Sequence, residues 1–594
     1  VPSIAKLLVA NRGEIAVRIF RACRELGITS VAIYSEVDRD AFHLSFADEA
    51  YFAGGTPPAE SYLNIGRIVD VAIRSGADAV HPGYGFLAEN PAFAQAVQDA
   101  GLIWVGPPPA AIRAMGDKLS ARKVAAAAGV PTVPGTLDPA SGAEAVEAFA
   151  DRFGWPVAVK AIHGGGGRGF RVVRSAGEAA AAFDSAGREA ALAFGNRDLY
   201  LERYLDEPRH VEIQVLGDAH GNVVHLGERE CSLQRRHQKL LEESPSPAVD
   251  PALRVQMGAA AVKLCRQAGY FSVGTAEFLL EQTETGPRFY FLELNTRLQV
   301  EHPVTELVTG LDLVKEMIWV AEGKPLHLTQ DDVALRGHAI ECRINVEDAS
   351  RNFMPSPGTI TEYREPGGPG IRVDAGAGRG TTISEFYDSL VAKLICSGAN
   401  RDEAVQRMRR ALDEYRIEGV ATTIPFHRLV AGADWFQRGA FSTSTVENTI
   451  DLSGLGAGTD GGGGPGGPVI GGEVRAPAAA RDVTVELSGK RFEVRLWERS
   501  GTHRGKPHLP EPGARGGHAG VGETIVAPMQ GTILRVLTKV GAVVAVGDPI
   551  VVLEAMKMEN LIVAHRDGQV KSLRVKAGDS VQLGGPLAEI GPPD

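Results

Sequence analysis

The residues Glu293-Leu294-Asn295-Thr296-Arg297-Leu298-Gln299-Val300-Glu301 alternate in chemical character. In an extended chain successive side chains point to opposite faces. Glu293, Asn295, Arg297, Gln299 and Glu301 then share one face, and Leu294, Thr296, Leu298 and Val300 take the other. A surface strand shows the same alternation. An arginine set among carboxylates and amides, after the apolar run Phe289-Tyr290-Phe291-Leu292, fits a polar cleft better. Upstream, Gly274 to Leu280 reads as another strand, and a hairpin centred near Thr285-Gly286 sets Glu277 opposite Glu293. Facing carboxylates repel unless a cation lies between them. Mg²⁺ bridging nucleotide phosphates is the economical choice, because a candidate phosphate loop is present.

That loop is His163-Gly164-Gly165-Gly166-Gly167-Arg168-Gly169, between the apolar runs Val157–Ile162 and Phe170–Val173. Glycines let backbone N–H groups close on phosphate oxygens without obstruction by Cβ. No Lys-Ser/Thr follows, so it is neither a Walker A loop nor a dinucleotide fingerprint. By itself it is either a flexible loop or a phosphate clamp. Lys160, on the entering strand, places an ammonium nearby and favours the clamp. A separate lysine, Lys557, lies at the centre of Glu554-Ala555-Met556-Lys557-Met558-Glu559. On physics alone it reads as a solvated turn lysine between packing methionines.

The elements that must position these groups follow the same patterns. Lys6–Ala10, Gly13–Leu26 and Ser30–Tyr34 read as strand, helix, strand, and Ala77–His81 as a further strand end. Alternating units of this kind imply a parallel sheet. The α/β texture continues to about residue 447. Residues 451–472 are then dominated by glycine and predict a flexible linker, with a random-coil span of about 25 Å. Val483, Val485 and Leu487 face Phe492, Val494 and Leu496 across Ser488-Gly489, a β-hairpin within about 482–498. Residues 501–522 read as a second linker. Over 521–594 there is a repeat at a spacing of 37 residues. Ala527, Gly531, Ile533, Gly541, Val544, Gly547, Pro549, Ile550 and Leu553 recur as Ala564, Gly568, Val570, Gly578, Val581, Gly584, Pro586, Leu587 and Ile590. This predicts two similar β-units packed together with Lys557 in the link between them.

Composition bounds the class. The 594 residues suggest several domains. Apolar residues are 44% and charged residues 23%, ordinary for a globular protein, while 71 glycines are an excess. No apolar run is long enough to span a bilayer, and no secretory h-region opens the chain. Cys23, Cys231, Cys265, Cys342 and Cys396 form no CxxC, which argues against a disulfide framework or zinc site and for a reducing cytoplasm. A net charge of −11 argues against general nucleic-acid or membrane binding.

Several motifs carry a family resemblance. NRGEIAVRIFRACRELG, HPGYGFLAEN, MGDK, KAIHGGGGRGF, PRHVEIQ, ERECSLQRRHQK, FLELNTRLQVEHPVTE and GHAIECRIN resemble biotin carboxylase, an ATP-grasp enzyme, over 1–447. EAMKME resembles the biotin attachment site of biotin carboxyl carrier domains, over 521–594. The whole chain resembles α subunits of actinobacterial-type acyl-CoA carboxylases. The resemblance implies an α/β pre-ATP-grasp (Rossmann-like) domain at 1–114 and an ATP-grasp α+β core at 115–330, its lid near 133–204. A C-terminal carboxylase domain at 331–447, linkers with the hairpin at 448–520, and an all-β biotinyl (lipoyl-like) flattened barrel at 521–594 complete it.

It also implies roles. The reaction is an ATP-dependent ligation in which bicarbonate is phosphorylated to carboxyphosphate and biotin N1 is then carboxylated. Lys118 and Lys160 hold ATP phosphates, Gly164, Gly165, Gly166 and Gly167 close over them, and Glu202, Leu205, His210, Gln234 and His237 surround adenine and ribose. Arg203 stands where the family usually has lysine. Glu277 and Glu293, assisted by Asn295, match ligands of Mg²⁺ (or Mn²⁺). Lys239, Arg297, Gln299 and Val300 match the bicarbonate site, and Glu301 the base, whose pKa burial is expected to raise. Arg343 matches the group stabilising the biotin enolate, since a guanidinium is no base at neutral pH. Tyr84 matches a side chain near the biotin ring, and Lys557 the covalent biotin site. No region resembles a carboxyltransferase, so a separate carboxyltransferase β subunit is the expected partner. A biotin protein ligase acts transiently, and the carboxylase part forms a homo-oligomer. The alternatives are the biotin-carrying subunit of a two-subunit pyruvate carboxylase and a non-catalytic biotin scaffold.

Overall fold

The structure is a computed structural model, and it describes residues 3–162, 169–452, 455, 479–487, 490–498, 524–528, 531–555, 558–581 and 584–592. The expected strand-helix-strand unit is present at the N-terminus. Strands β1 (Lys6–Val9), β2 (Thr29–Ser35), β3 (Glu49–Gly54), β4 (Ala79–His81) and β5 (Ile103–Trp104) form a parallel sheet in the order β3-β2-β1-β4-β5. Between β1 and β2 runs the helix Gly13–Leu26, which ends at Gly27 with φ 71°, a left-handed conformation that suits a residue without Cβ. The strand order reverses between β1 and β4. In open sheets of this kind, ligands bind beyond the carboxyl ends of the strands at that reversal. The segments Asn11–Glu14 and Tyr84–Phe86, which leave β1 and β4, border a cavity there.

An eight-stranded antiparallel sheet organises the middle of the chain. Its ordered strands are β13 (Gly286–Asn295), β12 (Ser272–Thr283), β9 (Arg209–Gly217), β10 (Val223–Arg235), β11 (Gln238–Ser244) and β14 (His338–Asn345), followed by Leu390–Gly398 and Ile371–Ala375. A smaller sheet of β7 (Phe170–Val173), β6 (Val157–Ala161) and β8 (Leu199–Arg203) supplies Lys160 and Glu202. The expected hairpin pairs Glu277 with Glu293 in register. The expected extended run beyond Asn295 does not form. Thr296 N–H donates to the Glu89 carboxylate at 3.1 Å instead of to a strand neighbour, and Glu301 becomes the residue that precedes the helix His302–Thr309. Pro303, in the first helical turn, suits that start.

The hairpin near 482–498 is found as strands Ala479–Leu487 and Lys490–Glu498, with Val483 paired to Val494 and Val485 to Phe492. Most of the residues read as linkers, 453–454, 456–478 and 499–523, lie outside the described residues. At the C-terminus two four-stranded sheets pack around Ile533, Ile550, Leu553, Val570, Leu587 and Ile590. The strands Gly531–Val536, Val543–Val544 and Pro549–Ala555 recur 37 residues later as Gly568–Leu573, Ser580–Val581 and Pro586–Gly591. Each sheet takes strands from both halves, so neither half buries its apolar face alone. The turn glycines Gly541, Gly547, Gly578 and Gly584 all have positive φ, which explains why they repeat with the core.

Candidate active site

Strand register builds the centre of the site. Glu293 on β13 lies beside Glu277 on β12, Glu277 beside Glu212 on β9, and Glu212 beside Arg229 on β10. Cross-strand neighbours share a face, so three carboxylates form a transverse row on one side of the sheet. Such a row is tolerable only if cations enter it. Lys239 Nζ does so, at 2.5 Å from Glu212, 2.9 Å from Glu277 and 2.7 Å from Glu301. Arg229, wholly buried, donates to Glu212 at 2.5 Å and to Gln214 and Thr305. Arg343 on β14 reaches Glu242 at 2.6 Å and Glu301 at 2.9 Å.

The charges respond accordingly. Burial pushes the Glu277 carboxyl up, but Lys239 and His210 outweigh it and hold the group well below the usual carboxylate range. Glu293 goes the other way, raised by burial and by the charge of Glu277. Burial and the neighbouring Glu301 carry Glu242 to about 7, against the pull of Arg343. The expectation that burial raises Glu301 is overturned. Burial does oppose its charge, yet Lys239, Arg343 and Arg229 dominate and hold it well below the usual range. Lys239, desolvated but faced by Glu212, Glu277 and Glu301, is raised well above an ordinary lysine.

Two cavities meet here. One, of about 420 Å³, is bordered by Tyr84, Lys239, Asn295, Arg297, Gln299, Val300 and Arg343. The other, of about 400 Å³, is bordered by Lys118, Lys160, Glu202, Arg203, Leu205 and Gln234. His210, His237, Glu277 and Glu293 belong to both walls. Glu301 lines neither; it is wholly buried behind Lys239 and Arg343. Gly164, Gly165, Gly166, Gly167 and Lys557 lie outside the described residues.

In the second cavity, Lys160 and Arg122 both donate to Glu202 and hold its carboxyl low against burial. Burial depresses Lys118, with Glu293 opposing. Arg203 pairs with Glu281 at 2.7 Å. His237 and Arg236 form the two-residue turn between β10 and β11, both at positive φ (64° and 47°). Non-glycine residues in that conformation carry strain, which concentrates at functional sites. In the first cavity, Arg297 donates to Glu89 at 2.9 Å and to Gln299 at 3.0 Å. Gln299 in turn donates to Glu277 at 3.3 Å. Glu277 and Glu293, with the amide of Asn295 2.8 Å from Glu277, offer hard oxygen donors in a like-charge pair. Burial and the charge of Glu277 raise the Glu293 carboxyl, a repulsion that a divalent cation such as Mg²⁺ between the two would relieve.

Sequence reasoning missed Glu89, Glu212, Arg229 and Glu242. Glu212 had a signal: it lies between His210 and Gln214 at a strand period of two. Arg229 lies within the motif ERECSLQRRHQK and 17 residues from Glu212 on the neighbouring strand, whereas Glu242 had no signal, because its partner Arg343 lies 101 residues away. The five cysteines are free and buried. Among the described residues no helix is long and apolar enough to cross a membrane.

Four family models match the chain. Residues 3–112 match the biotin carboxylase N-terminal domain, 117–329 the ATP-binding domain of the carbamoyl-phosphate synthase L chain, 341–448 the biotin carboxylase C-terminal domain, and 523–590 the biotin-requiring enzyme family. A biotin-dependent acyl-coenzyme A carboxylase alpha3 subunit of Mycobacterium leprae is 48% identical, over 99% of this chain and 98% of the relative. A pyruvate carboxylase subunit of Methanothermobacter thermautotrophicus is 53% identical, over 75% of this chain and 89% of the relative. Among solved structures, the biotin carboxylase domain dimer of Hydrogenobacter thermophilus 2-oxoglutarate carboxylase, in complex with MgADP, ADP and bicarbonate, is 48% identical with a TM-score of 0.72, covering 75% of this chain and 98% of that one.

Proposed function

This chain belongs to the biotin carboxylase family, with a biotin-carrier domain on the same polypeptide, and from that premise we propose how its residues act and with what it works. It is an ATP-dependent ligase that carboxylates biotin with bicarbonate. Biotin, ATP and Mg²⁺ are its cofactors and co-substrate. The observation that carries the assignment of roles is Glu301, sealed from solvent behind Lys239 and Arg343, which border the first cavity.

In this reading ATP occupies the cavity of Lys118, Lys160, Glu202, Arg203, Leu205, His210, Gln234 and His237, with Gly164 to Gly167 over its phosphates. Glu277, Glu293 and Asn295 would hold Mg²⁺, which when bound would neutralise phosphate charge. Bicarbonate lies against Lys239, Arg297, Gln299 and Val300, where two cations and an amide orient a small anion. Glu301 takes its proton. A carboxylate held low by cations is a weak base, so the anion itself must tune it. Negative charge brought beside Lys239 competes for a cation that depresses Glu301 and makes the carboxylate more basic. Arg343 stabilises negative charge developing on the ureido oxygen of biotin, and Tyr84 borders the ring.

The biotin is borne by Lys557, attached by a biotin protein ligase. The carboxyl group passes to an acyl-CoA on a separate carboxyltransferase β subunit, and the carboxylase part pairs with a second copy. An acyl-CoA acceptor is favoured over pyruvate because the similarity to the acyl-CoA carboxylase relative runs through the carrier domain, whereas that to the pyruvate carboxylase relative covers 75% of the chain. The test is ATP hydrolysis with free biotin, with and without bicarbonate, followed by acyl-CoAs and pyruvate offered with the co-purified partner. Hydrolysis indifferent to bicarbonate would refute the assignment, and carboxylation of pyruvate alone would replace the acceptor.

A further inference from the structure

Lys393 lies on the strand Leu390–Gly398, directly opposite Arg343, and is wholly buried. An ammonium without water must be satisfied by protein groups. Its Nζ donates to the carbonyl of Val300 at 2.9 Å and pairs with Glu14 at 3.1 Å. Asp374 stands 3.9 Å away, and the Tyr84 ring centroid 6.0 Å. Glu14, also buried, begins the helix Gly13–Leu26 and accepts the Tyr84 hydroxyl on the oxygen that faces Lys393. Its second oxygen has no hydrogen-bond partner among the described residues. Burial carries the Glu14 carboxyl to about 7, against the pull of Lys393.

Four distant parts of the chain thus converge on one ammonium: the helix start at Glu14, the segment after β4 at Tyr84, the turn at Val300 and the strand at Lys393. Two of the groups held, Val300 and Tyr84, are opposite ends of the chemistry assigned above. Replacing a buried ion pair with packed apolar side chains is often neutral or stabilising, so rigidity alone does not call for a lysine here. A planar peptide couples the carbonyl of Val300 to the N–H of Glu301 on its other side. Fixing one therefore fixes the other, together with the entry into Glu301.

We propose that Lys393 and Glu14 are positioning residues that jointly set the Val300–Glu301 peptide and the Tyr84 ring, aligning the bicarbonate and biotin sites across the cavity. The inference rests on the function proposed above. Lys393 acts on the base through its peptide, and Glu14, at the edge of the cavity, acts on the biotin side through the Tyr84 hydroxyl.

The test uses the full chain with free biotin and measures kcat and the KM values for ATP, bicarbonate and biotin, with thermal unfolding alongside. For Lys393→Met, kcat/KM for bicarbonate should fall about 100-fold, as a misplacement of the order of an ångström costs, while KM for ATP stays within about twofold. Lys393→Arg, which keeps a charged donor, should recover part of the loss. Glu14→Gln, close in shape, should raise KM for biotin about tenfold and leave KM for ATP within about twofold. Equal rises in all three KM values, or no change in any, would overturn the proposal. If Lys393→Met does not fold, Glu14→Gln decides by the same split. Wild-type hydrolysis indifferent to bicarbonate would sink the parent assignment and this inference together, whereas an active wild type with an unchanged split would sink this inference alone.

Discussion

Glu301 shows how much a single side chain depends on its neighbours. Three cations determine its charge state, and they reach it from β10, β11 and β14. Glu301→Gln keeps the shape and removes the proton acceptor. The expected outcome is a normally folded protein whose bicarbonate-dependent ATP hydrolysis falls by about 10²–10⁴. Near-wild-type turnover would take Glu301 out of the mechanism. At the other end of the chain, Lys557→Arg retains charge and length but loses the primary amine. Streptavidin should no longer detect the chain at all, and a residual signal would mean that another lysine is modified.

Elements decide which charges share a face, and one helix offers a test away from the chemistry. Glu316 lies in the helix Leu313–Ala321, is 3% exposed, and stands 3.6 Å from His327. Burial, helped by Asp312, raises its carboxyl to about 7. The folded state therefore keeps a proton that the unfolded chain releases nearer 4.5. By linkage, the contribution to stability is fully present below the unfolded value and is lost as pH rises through about 7. Thermal melts from about pH 5 to 8 should show a decline that is shallower in Glu316→Gln than in wild type. Parallel declines would mean that Glu316 does not contribute to it. The same logic of register explains the site: the row Glu293, Glu277, Glu212 and Arg229 exists because four strands align, although Arg229 and Glu293 are far apart in sequence.

For the whole molecule, the question is how a carrier serves two chemistries. Residues 451–472 number 22 and reach at most roughly 70–80 Å when fully extended. A tether replaces bimolecular encounter by an effective concentration, and one too short for either site forbids that site. Deletion of residues 456–468 should leave carboxylation of added free biotin unchanged. Acyl-CoA carboxylation with the partner subunit should fall. An undiminished overall reaction would place the range in residues 501–522 or in domain motion.

Sequence alone determined what periodicity and local chemistry can encode. The first βαβ unit, the Glu277–Glu293 hairpin and the 37-residue repeat are legible because strand and helix periods and turn glycines are local properties. Spacing singled out Glu277, Glu293 and Lys160, but the other residues matched to nucleotide and anion sites were legible only through motif resemblance, because spacing does not say which loops meet. Tertiary structure decided the rest. It ended the strand at Asn295, where Glu89 from another domain captured the next N–H. It depressed Glu301 where burial alone would raise it, because Coulomb energy depends on distance in space and not along the chain. And it brought Lys393 to Glu14 and Val300, a meeting of segments that no local pattern records.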